Sequence, residues 1–220
     1  SRRGMDAPGA VALRDELVAA GVRVTVAACD VADRDALAEL LAEHPVDAVV
    51  HAAGAVVNVP LERMSAEELG EVWAGKVAGA VHLDALLGER SLDAFVVFSS
   101  IAGVWGSGGQ AGYAAANAFL DGLVQGRRAR GVAGTAVAWG PWAEVGMAAG
   151  AEAVEALRRR GLVALEPGRA VRALGRVVPG ADAVVVVADV DWARFTPAYT
   201  SVRPSALLSG VPEARTTPAE

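Results

Sequence analysis

The chain has 220 residues, of which 53% are hydrophobic, so it is long enough to bury one substantial core and has the composition of a folded domain. Its formal net charge of -6 argues against a nucleic-acid surface, because phosphate binding needs clustered Lys and Arg. The single cysteine, Cys29, cannot form an internal disulfide, which suits a reducing cytoplasm, and no apolar run reaches the length of a membrane span. We therefore expect one cytoplasmic domain that binds neither nucleic acid nor a membrane.

Short β-branched runs alternate with longer helical patterns, and this alternation is typical of βαβ units on a parallel sheet. The predicted strands are residues 22–28, 46–51, 92–98, 135–138 and 183–188. The predicted helices are residues 11–20, 34–43, 66–87, 110–130, 151–160 and 167–178, with Asp33 capping the second and Ser65 and Glu68 forming a capping box on the third. The nearly continuous apolar composition of the strands predicts a sheet covered on both faces, so we expect an α/β, doubly wound fold.

The two ends of the chain carry separate expectations. The sequence opens with Ser1-Arg2-Arg3-Gly4, and no Gly-x-Gly-x-x-Gly turn follows an early strand. A doubly wound dinucleotide fold begins with that strand, turn and helix, so we expect this N-terminal unit to be missing from the chain. Residues 204–220 are rich in Pro, Ser, Thr and Glu without apolar periodicity, which predicts a linker after a catalytic domain of residues 1–203.

Four side chains form the most informative pattern. Ser100 ends a predicted strand, and a serine at the carboxyl end of a parallel strand faces the ligand crevice. Tyr113 and Asn117 are four residues apart, so both project from one face of the helix that follows. Lys76 lies in the middle of an upstream helix that is otherwise short of positive charge.

This pattern resembles the short-chain dehydrogenase/reductase superfamily, and within it the ketoreductase domains of modular (type I) polyketide synthases. Most of the superfamily has a lysine four residues after the tyrosine and an asparagine on the preceding helix, whereas these ketoreductases exchange the two, as Asn117 and Lys76 are exchanged here. The resemblance extends from Ser1 to about Pro204 and implies a Rossmann-like fold. Further matching segments are Cys29-Asp30-Val31, His51-Ala52-Ala53-Gly54 and Ala138-Trp139-Gly140-Pro141-Trp142.

The resemblance implies NADPH-dependent reduction of a 3-oxo group. The hydroxyls of Ser100 and Tyr113 would stabilise the developing oxyanion, and Tyr113 would donate the proton. Ser99 is an alternative to Ser100, although Ser100 has the better spacing to Tyr113. A nearby ammonium favours the phenolate form of a tyrosine, and Lys76 is the candidate for that role. By resemblance, Lys76 also contacts the nicotinamide ribose, and Asn117 holds Lys76 and a proton-relay water.

The cofactor would be held by residues spread along the chain. By resemblance, Arg2 and Arg3 meet the 2′-phosphate that distinguishes NADP from NAD, although they are also explained as a solvated pair. Asp30 and Val31 would border the adenine, although Asp30 is equally explained as a helix-start residue. The remaining cofactor-binding residues are Ala52, Ala53, Gly54, Lys76, Tyr113, Pro141 and Trp142. The three histidines and one cysteine show no ligand spacing, so we expect no metal site.

Two sequence fingerprints of the family bear on stereochemistry. Val56-Val57-Asn58 stands where B-type domains carry Leu-Asp-Asp, and Trp105 lies eight residues before Tyr113, as in A-type domains. The resemblance therefore implies an L-3-hydroxyl product. Gln110 stands three residues before Tyr113, where domains that reduce epimerised substrates have a histidine, so no epimerised α-substituent is expected. Met147 would touch the acyl chain; like Trp105, it is also explained as core packing.

The resemblance also implies partners. The substrate would be a 3-oxoacyl chain on the phosphopantetheine of an acyl carrier protein, next to other synthase domains and the missing N-terminal segment. A structural or carrier-binding relic of a ketoreductase is the alternative function, since fold resemblance does not prove turnover. A sugar-nucleotide epimerase or dehydrogenase would require Tyr-x-x-x-Lys, which Asn117 contradicts.

Overall fold

The computed structural model describes residues 1–143 and 151–215 and has a parallel sheet at its centre. The strands are β1 (Ala48–His51), β2 (Ala94–Ser100), β3 (Thr135–Trp139), β4 (Leu162–Val163), β5 (Val184–Val187) and β6 (Asp189–Val190). Four of them form one sheet in the order β1-β2-β3-β5, in which every neighbouring pair is parallel. β4 and β6 pair separately as a short antiparallel sheet. The predicted parallel α/β sheet is therefore confirmed.

Helices connect these strands and cover the sheet. They are α1 (Ala10–Ala19), α2 (Arg34–Glu43), α3 (Ala66–Trp73), α4 (Gly79–Leu87), α5 (Ile101–Trp105), α6 (Ala111–Ala129), α7 (Ala151–Arg159), α8 (Pro167–Val177), α9 (Trp192–Tyr199) and α10 (Ala206–Ser209). The predicted helix over residues 66–87 is divided into α3 and α4 by a π turn at Ala74–Ala78. Sequence analysis missed α5, α9 and α10, since α5 and α10 are too short to show a helical period.

The pleat of β2 explains why its sequence is apolar throughout. Phe95 and Val97 point to one side, into a core formed with α4 and α6, while Val96 points to the other side, toward Ala170 of α8. Successive side chains of a strand face opposite ways, so a sheet covered on both faces needs apolar residues at every position. The predicted doubly covered sheet is confirmed.

The predicted caps begin two of these helices. The Asp33 side chain accepts hydrogen bonds from two backbone N–H groups in the first turn of α2. Ser65 and Glu68 form the reciprocal capping box at the start of α3, with Ser65 Oγ accepting from Glu68 N at 3.1 Å and Glu68 Oε2 accepting from Ser65 N at 2.8 Å. These bonds satisfy N–H groups that have no partner inside a helix.

The predicted strand at residues 22–28 is wrong. A strand requires a neighbour whose backbone donors and acceptors match its own, and β1 pairs only with β2 among the described residues. The backbone at this segment instead contacts the start of the chain: Cys29 N donates to Ser1 O at 3.0 Å, and the Ser1 amino group donates to Ala27 O at 3.3 Å. Apolar β-branched composition alone therefore did not produce a strand here.

The predicted linker is also wrong over much of its length. Residues 206–214 form α10 and a 3-10 turn, Pro212–Ala214. Leu208 and Ala214 are buried in a cluster with Phe195 of α9, Leu162 of β4 and Ile101 of α5. Residues 206–214 are therefore part of the folded domain. The apolar run of this tail, Ala206-Leu207-Leu208, is too short to show a helical period.

The Phe195 ring holds this C-terminal cluster together, since its centroid lies 5.3 Å from Trp105, 5.8 Å from Trp192 and 5.4 Å from Tyr199. We expect Phe195→Ala to lower the free energy of unfolding by about 3 to 5 kcal/mol, because it leaves a cavity in a packed core. Urea unfolding measures this loss. Val202→Ala is the control, because Val202 is 94% exposed and its truncation should change stability by less than about 0.5 kcal/mol. Equal effects of the two changes would contradict the assignment of the tail to the core.

Candidate active site

Three adjacent strands end at the same edge of the sheet. His51 ends β1, Ser100 ends β2 and Trp139 ends β3, and the register pairs His51 with Val97 and Ser100 with Trp139. In a parallel sheet, the carboxyl ends of the strands and the loops that follow them form the ligand crevice. The candidate site therefore lies at this edge.

Lys76 reaches this edge from the π turn at Ala74–Ala78. Its side chain is only 4% exposed, and its Nζ donates a hydrogen bond to the Phe98 carbonyl of β2 at 2.9 Å. Its own carbonyl accepts a bond from His51 Nε2 at 3.0 Å, so His51 links the end of β1 to the turn. At Gly54, a Cβ atom would lie 2.8 Å from Lys76 Cε. Only glycine leaves room there for the buried lysine.

Tyr113 lies beside Lys76 in the first turn of α6. The Lys76 Nζ atom is 5.4 Å from the centre of the Tyr113 ring, within the range of a cation–π contact. The ring is buried against Val72, Val77 and Ala116. The predicted neighbourhood of Lys76 and Tyr113 is thus what the structure shows.

Burial changes the pKa of both groups. It lowers the pKa of Lys76 from 10.5 to about 8, and the negative charge of Asp121 opposes part of this fall. It raises the pKa of Tyr113, and the neighbouring Ser100 and Asn117 side chains only partly offset this rise. Sequence analysis expected a nearby ammonium to favour the phenolate, whereas burial is the dominant influence on the pKa of Tyr113. Tyr113 therefore stays protonated at neutral pH.

Ser99 and Ser100 point in different directions. Ser99 is buried, and its Oγ donates to the Asn117 carbonyl of α6 at 3.3 Å. Ser100 is half-buried, caps α5 by accepting from Ala102 N at 3.2 Å, and interacts with Tyr113. Adjacent residues of a strand face opposite sides, so only one of the two serines can face the tyrosine. Of the two serines, Ser100 is the one that interacts with Tyr113.

Asn117 lies behind Tyr113 on α6 and is fully buried. Its Nδ2 donates to the Tyr113 carbonyl at 2.7 Å, while its Oδ1 has no hydrogen-bond partner. One turn further, the buried Oδ1 atom of Asp121 also has none. Sequence analysis missed Asp121, although its position four residues after Asn117 places it on the same helix face as Tyr113.

Comparison with known proteins identifies the family. A family model described as "KR domain" matches residues 1–144. The chain belongs to the KR family, the ketoreductase domains of polyketide synthases. The resemblance inferred from sequence is therefore confirmed.

Relatives of the KR chain are much longer. It is 53% identical to polyketide synthase GfsA of Streptomyces halstedii, over 97% of this chain and 3% of that protein. It is 52% identical to pikromycin polyketide synthase component PikAIII of Streptomyces venezuelae, over 98% of this chain and 14% of that protein. A solved structure of A-type ketoreductases from a modular polyketide synthase superimposes with a TM-score of 0.93 at 51% identity, over 97% of this chain and 46% of that one. The KR chain thus spans less than half of that solved chain.

Apart from Lys76 and Tyr113, the residues expected to bind a cofactor lie in two parts of the chain. Some follow β1 and β3 at the carboxyl edge of the sheet, and the others lie before α2. Asp30 accepts a bond from Ala32 N at 3.0 Å in the turn before α2, whose cap is Asp33. Arg2 and Arg3 are exposed, and the contacts of Ser1 with residues 27 and 29 hold them near Asp30. Of the remaining residues, Ala52 and Gly54 are exposed, Ala53 and Pro141 are half-buried, and Val31 and Trp142 pack against the core.

The expected stereocontrol residues lie in different surroundings. Gln110 Nε2 donates to Asn58 Oδ1 at 2.7 Å, which ties the loop after β1 to the start of α6. Trp105 packs against Phe195 and also lines an open cleft of about 420 Å³ with Tyr199 and Arg203. One side of the Trp105 ring therefore packs in the C-terminal cluster, and another part of it borders the cleft. Met147 lies outside the described residues.

Neither a metal cluster nor a membrane span occurs in residues 1–143 and 151–215. No three His, Cys, Asp or Glu side chains there are placed to hold a metal ion. No helix in these ranges has the length and apolar character needed to cross a bilayer. His51 and His82 instead contact the carbonyls of Lys76 and Val31.

The lowered pKa of Lys76 predicts how stability depends on pH. Between pH 8 and 10.5 the unfolded chain binds the lysine proton more strongly than the folded one, so the free energy of unfolding should rise with pH there, by up to about 3 kcal/mol from this group. Lys76→Met should remove this rise and stabilise the domain at pH 7 by about 1 to 3 kcal/mol. Urea unfolding at several pH values measures both effects. Exposed Arg90→Met is the control, and identical pH profiles of wild type and Lys76→Met would refute the burial argument.

Proposed function

We propose that this chain is the catalytic part of an NADPH-dependent reductase of 3-oxoacyl thioesters. The observation that carries the proposal is the convergence of Ser100, Tyr113 and Lys76 at the carboxyl edge of one parallel sheet. The substrate would be a polyketide intermediate on the phosphopantetheine of an acyl carrier protein. Neighbouring synthase domains are the expected partners, since the relatives are multidomain synthases.

The residues present fit the nicotinamide end of the cofactor. Lys76 Nζ donates one hydrogen bond within the protein, and an ammonium has three donors, so two are available for ribose hydroxyls. Ala52 and Gly54 expose backbone that a nucleotide can approach closely. When bound, NADPH supplies the hydride that adds to the C3 carbonyl carbon of the substrate. Arg2 and Arg3 supply the positive charge that would select a 2′-phosphate.

Ser100 and Tyr113 would act on the carbonyl oxygen. As the C3 carbon is reduced, the negative charge on that oxygen is met by both hydroxyls, and the Tyr113 proton moves onto it to complete the alcohol. The raised pKa of Tyr113 supports this direction of transfer, since a proton donor must be protonated at neutral pH. Ser100 Oγ also caps α5 by accepting from Ala102 N, which limits the orientations open to its hydroxyl.

Lys76 and Asn117 would return Tyr113 to its starting state. The Lys76 ammonium favours the phenolate left after proton transfer, and this help ends when Lys76 loses its proton. With the pKa of Lys76 at about 8, the reduction rate should fall as the pH rises above that value. Asn117 Oδ1, a buried acceptor without a protein partner, is suited to hold the water that passes a proton onward.

We assign the A type to this chain, so that the product is the L-3-hydroxyacyl thioester. Support comes from Trp105, from Val56-Val57-Asn58 in place of Leu-Asp-Asp, and from a similar solved structure described as an A1-type ketoreductase. Gln110 in place of histidine argues against a preference for epimerised α-substituents. The cytoplasm is the proposed location, where the buried Cys29 thiol, with a raised pKa, would remain reduced.

NADPH oxidation tests the reaction. The assay uses this chain alone and the chain joined to the rest of its ketoreductase sequence, with a 2-methyl-3-oxoacyl thioester and chiral analysis of the product. We expect turnover and an L-3-hydroxyl from the longer form, which supplies further cofactor contacts. Tyr113→Phe should lower kcat about 10²- to 10⁴-fold, because the proton donor is lost.

The chain supplies its own control for this assay. Tyr199 is the second of its two tyrosines and stacks on Phe195 in the C-terminal cluster. Tyr199→Phe should leave kcat within about twofold, because it keeps the ring and removes no group from the site. A folded longer form without turnover would favour the non-reducing, carrier-binding relic instead.

A further inference from the structure

The buried charge of Lys76 is only partly explained by the residues assigned so far. The elements packed around it carry several titratable groups, of which three lie near its side chain: His51 of β1, and Tyr113 and Asp121 of α6. β2 contributes the Phe98 carbonyl and the two serines, which carry no charge. Burial lowers the pKa of His51 and raises that of Tyr113, so both are neutral near pH 7. Among these groups, Asp121 is the one that can oppose the ammonium charge.

The position of Asp121 connects it to the catalytic side chains. Tyr113, Asn117 and Asp121 follow at intervals of four residues on α6, so they form one stripe on the helix face toward β2. Ser99 lies on the facing strand, where its hydroxyl donates to the Asn117 carbonyl one turn before Asp121. Burial raises the pKa of Asp121, and the nearby Ser99 side chain and the Lys76 ammonium oppose part of this rise. The Asp121 Oδ1 atom is shielded from solvent and has no hydrogen-bond partner. A carboxylate oxygen in that position is costly unless a nearby positive charge compensates for it.

We propose that Asp121 is a positioning residue that supplies the counter-charge for Lys76. The carboxylate acts across a gap wider than a direct ion pair, since the hydrogen bond of Lys76 goes to Phe98. Lys76 can stabilise the phenolate of Tyr113 only in its charged, ammonium form. This catalytic role rests on the proposed reductase function. The charge coupling itself does not depend on turnover.

The composition of the chain allows a direct measurement. Lys76 is the only lysine in the sequence, so protein labelled with [ε-13C]lysine gives one lysine signal, whose pH titration reports the ionisation of Lys76 alone. In folded Asp121→Asn, we expect the pKa of Lys76 to fall by about one unit or more below its wild-type value, because burial is then unopposed. Exposed Glu89→Gln removes the same charge elsewhere and should leave the titration unchanged. An unchanged pKa in folded Asp121→Asn would overturn the proposal.

Asp121→Ser provides a second variant in case Asp121→Asn fails to fold. It also removes the carboxylate, so it should lower the pKa of Lys76 in the same direction. An unchanged lysine titration in folded Asp121→Ser would equally overturn the proposal. Thermal unfolding and circular dichroism establish that each variant is folded.

A kinetic comparison separates this proposal from the proposed function. In the form of the protein that reduces substrate, the alkaline limb of the kcat profile should shift to lower pH in Asp121→Asn, while KM for the thioester changes little. A merely structural loss would lower kcat equally at every pH and would contradict the positioning role. A shifted lysine titration in a protein without turnover would leave the charge coupling established and the reductase function refuted.

Discussion

The burial of a single ammonium group is the constraint on which the rest of the site depends. Removing a charge from water is costly, and the pKa of Lys76, lowered to about 8, records this cost. The protein meets it with one strong acceptor, the Phe98 carbonyl, and with the negative charge of Asp121. A packed site without these groups would hold a neutral amine. A charged lysine beside Tyr113 in a dry core therefore comes with a loss of folding stability at Lys76.

Local irregularity in the backbone makes this burial possible. In the π turn the Lys76 carbonyl accepts a hydrogen bond from the Gly79 N–H and a second one from His51 Nε2. The turn therefore becomes attached to the end of β1, and the lysine side chain is directed toward β2. Glycine at position 54 then leaves the space that the lysine stem occupies. The end of β1, the π turn and the missing Cβ at Gly54 together position the Lys76 side chain.

Much of the site could be predicted from sequence because it follows from local rules. Ser100 ends a strand, and Tyr113 and Asn117 share a helix face, so the strand-end and four-residue rules place them together. The π turn interrupts a helix whose sequence pattern is continuous, so local rules did not predict it. The spacing of Asp121 places it on the helix face of Tyr113, but its effect on Lys76 depends on how separate elements pack together. The same limit explains the failures at residues 22–28 and 206–214. Pairing and burial of those segments depend on which elements lie beside them.

The choice of serine at the end of β2 combines structural and chemical requirements. A hydroxyl has one proton to donate and two lone pairs to accept with. At Ser100 one lone pair accepts the Ala102 N–H that begins α5, which limits the orientations of the hydroxyl and leaves its proton free for an oxygen beside Tyr113. Helix capping therefore orients a candidate catalytic donor, with no dedicated residue needed for that purpose. At Ser99 the hydroxyl proton is used by the Asn117 carbonyl, so that serine supports α6 and is unavailable to a substrate.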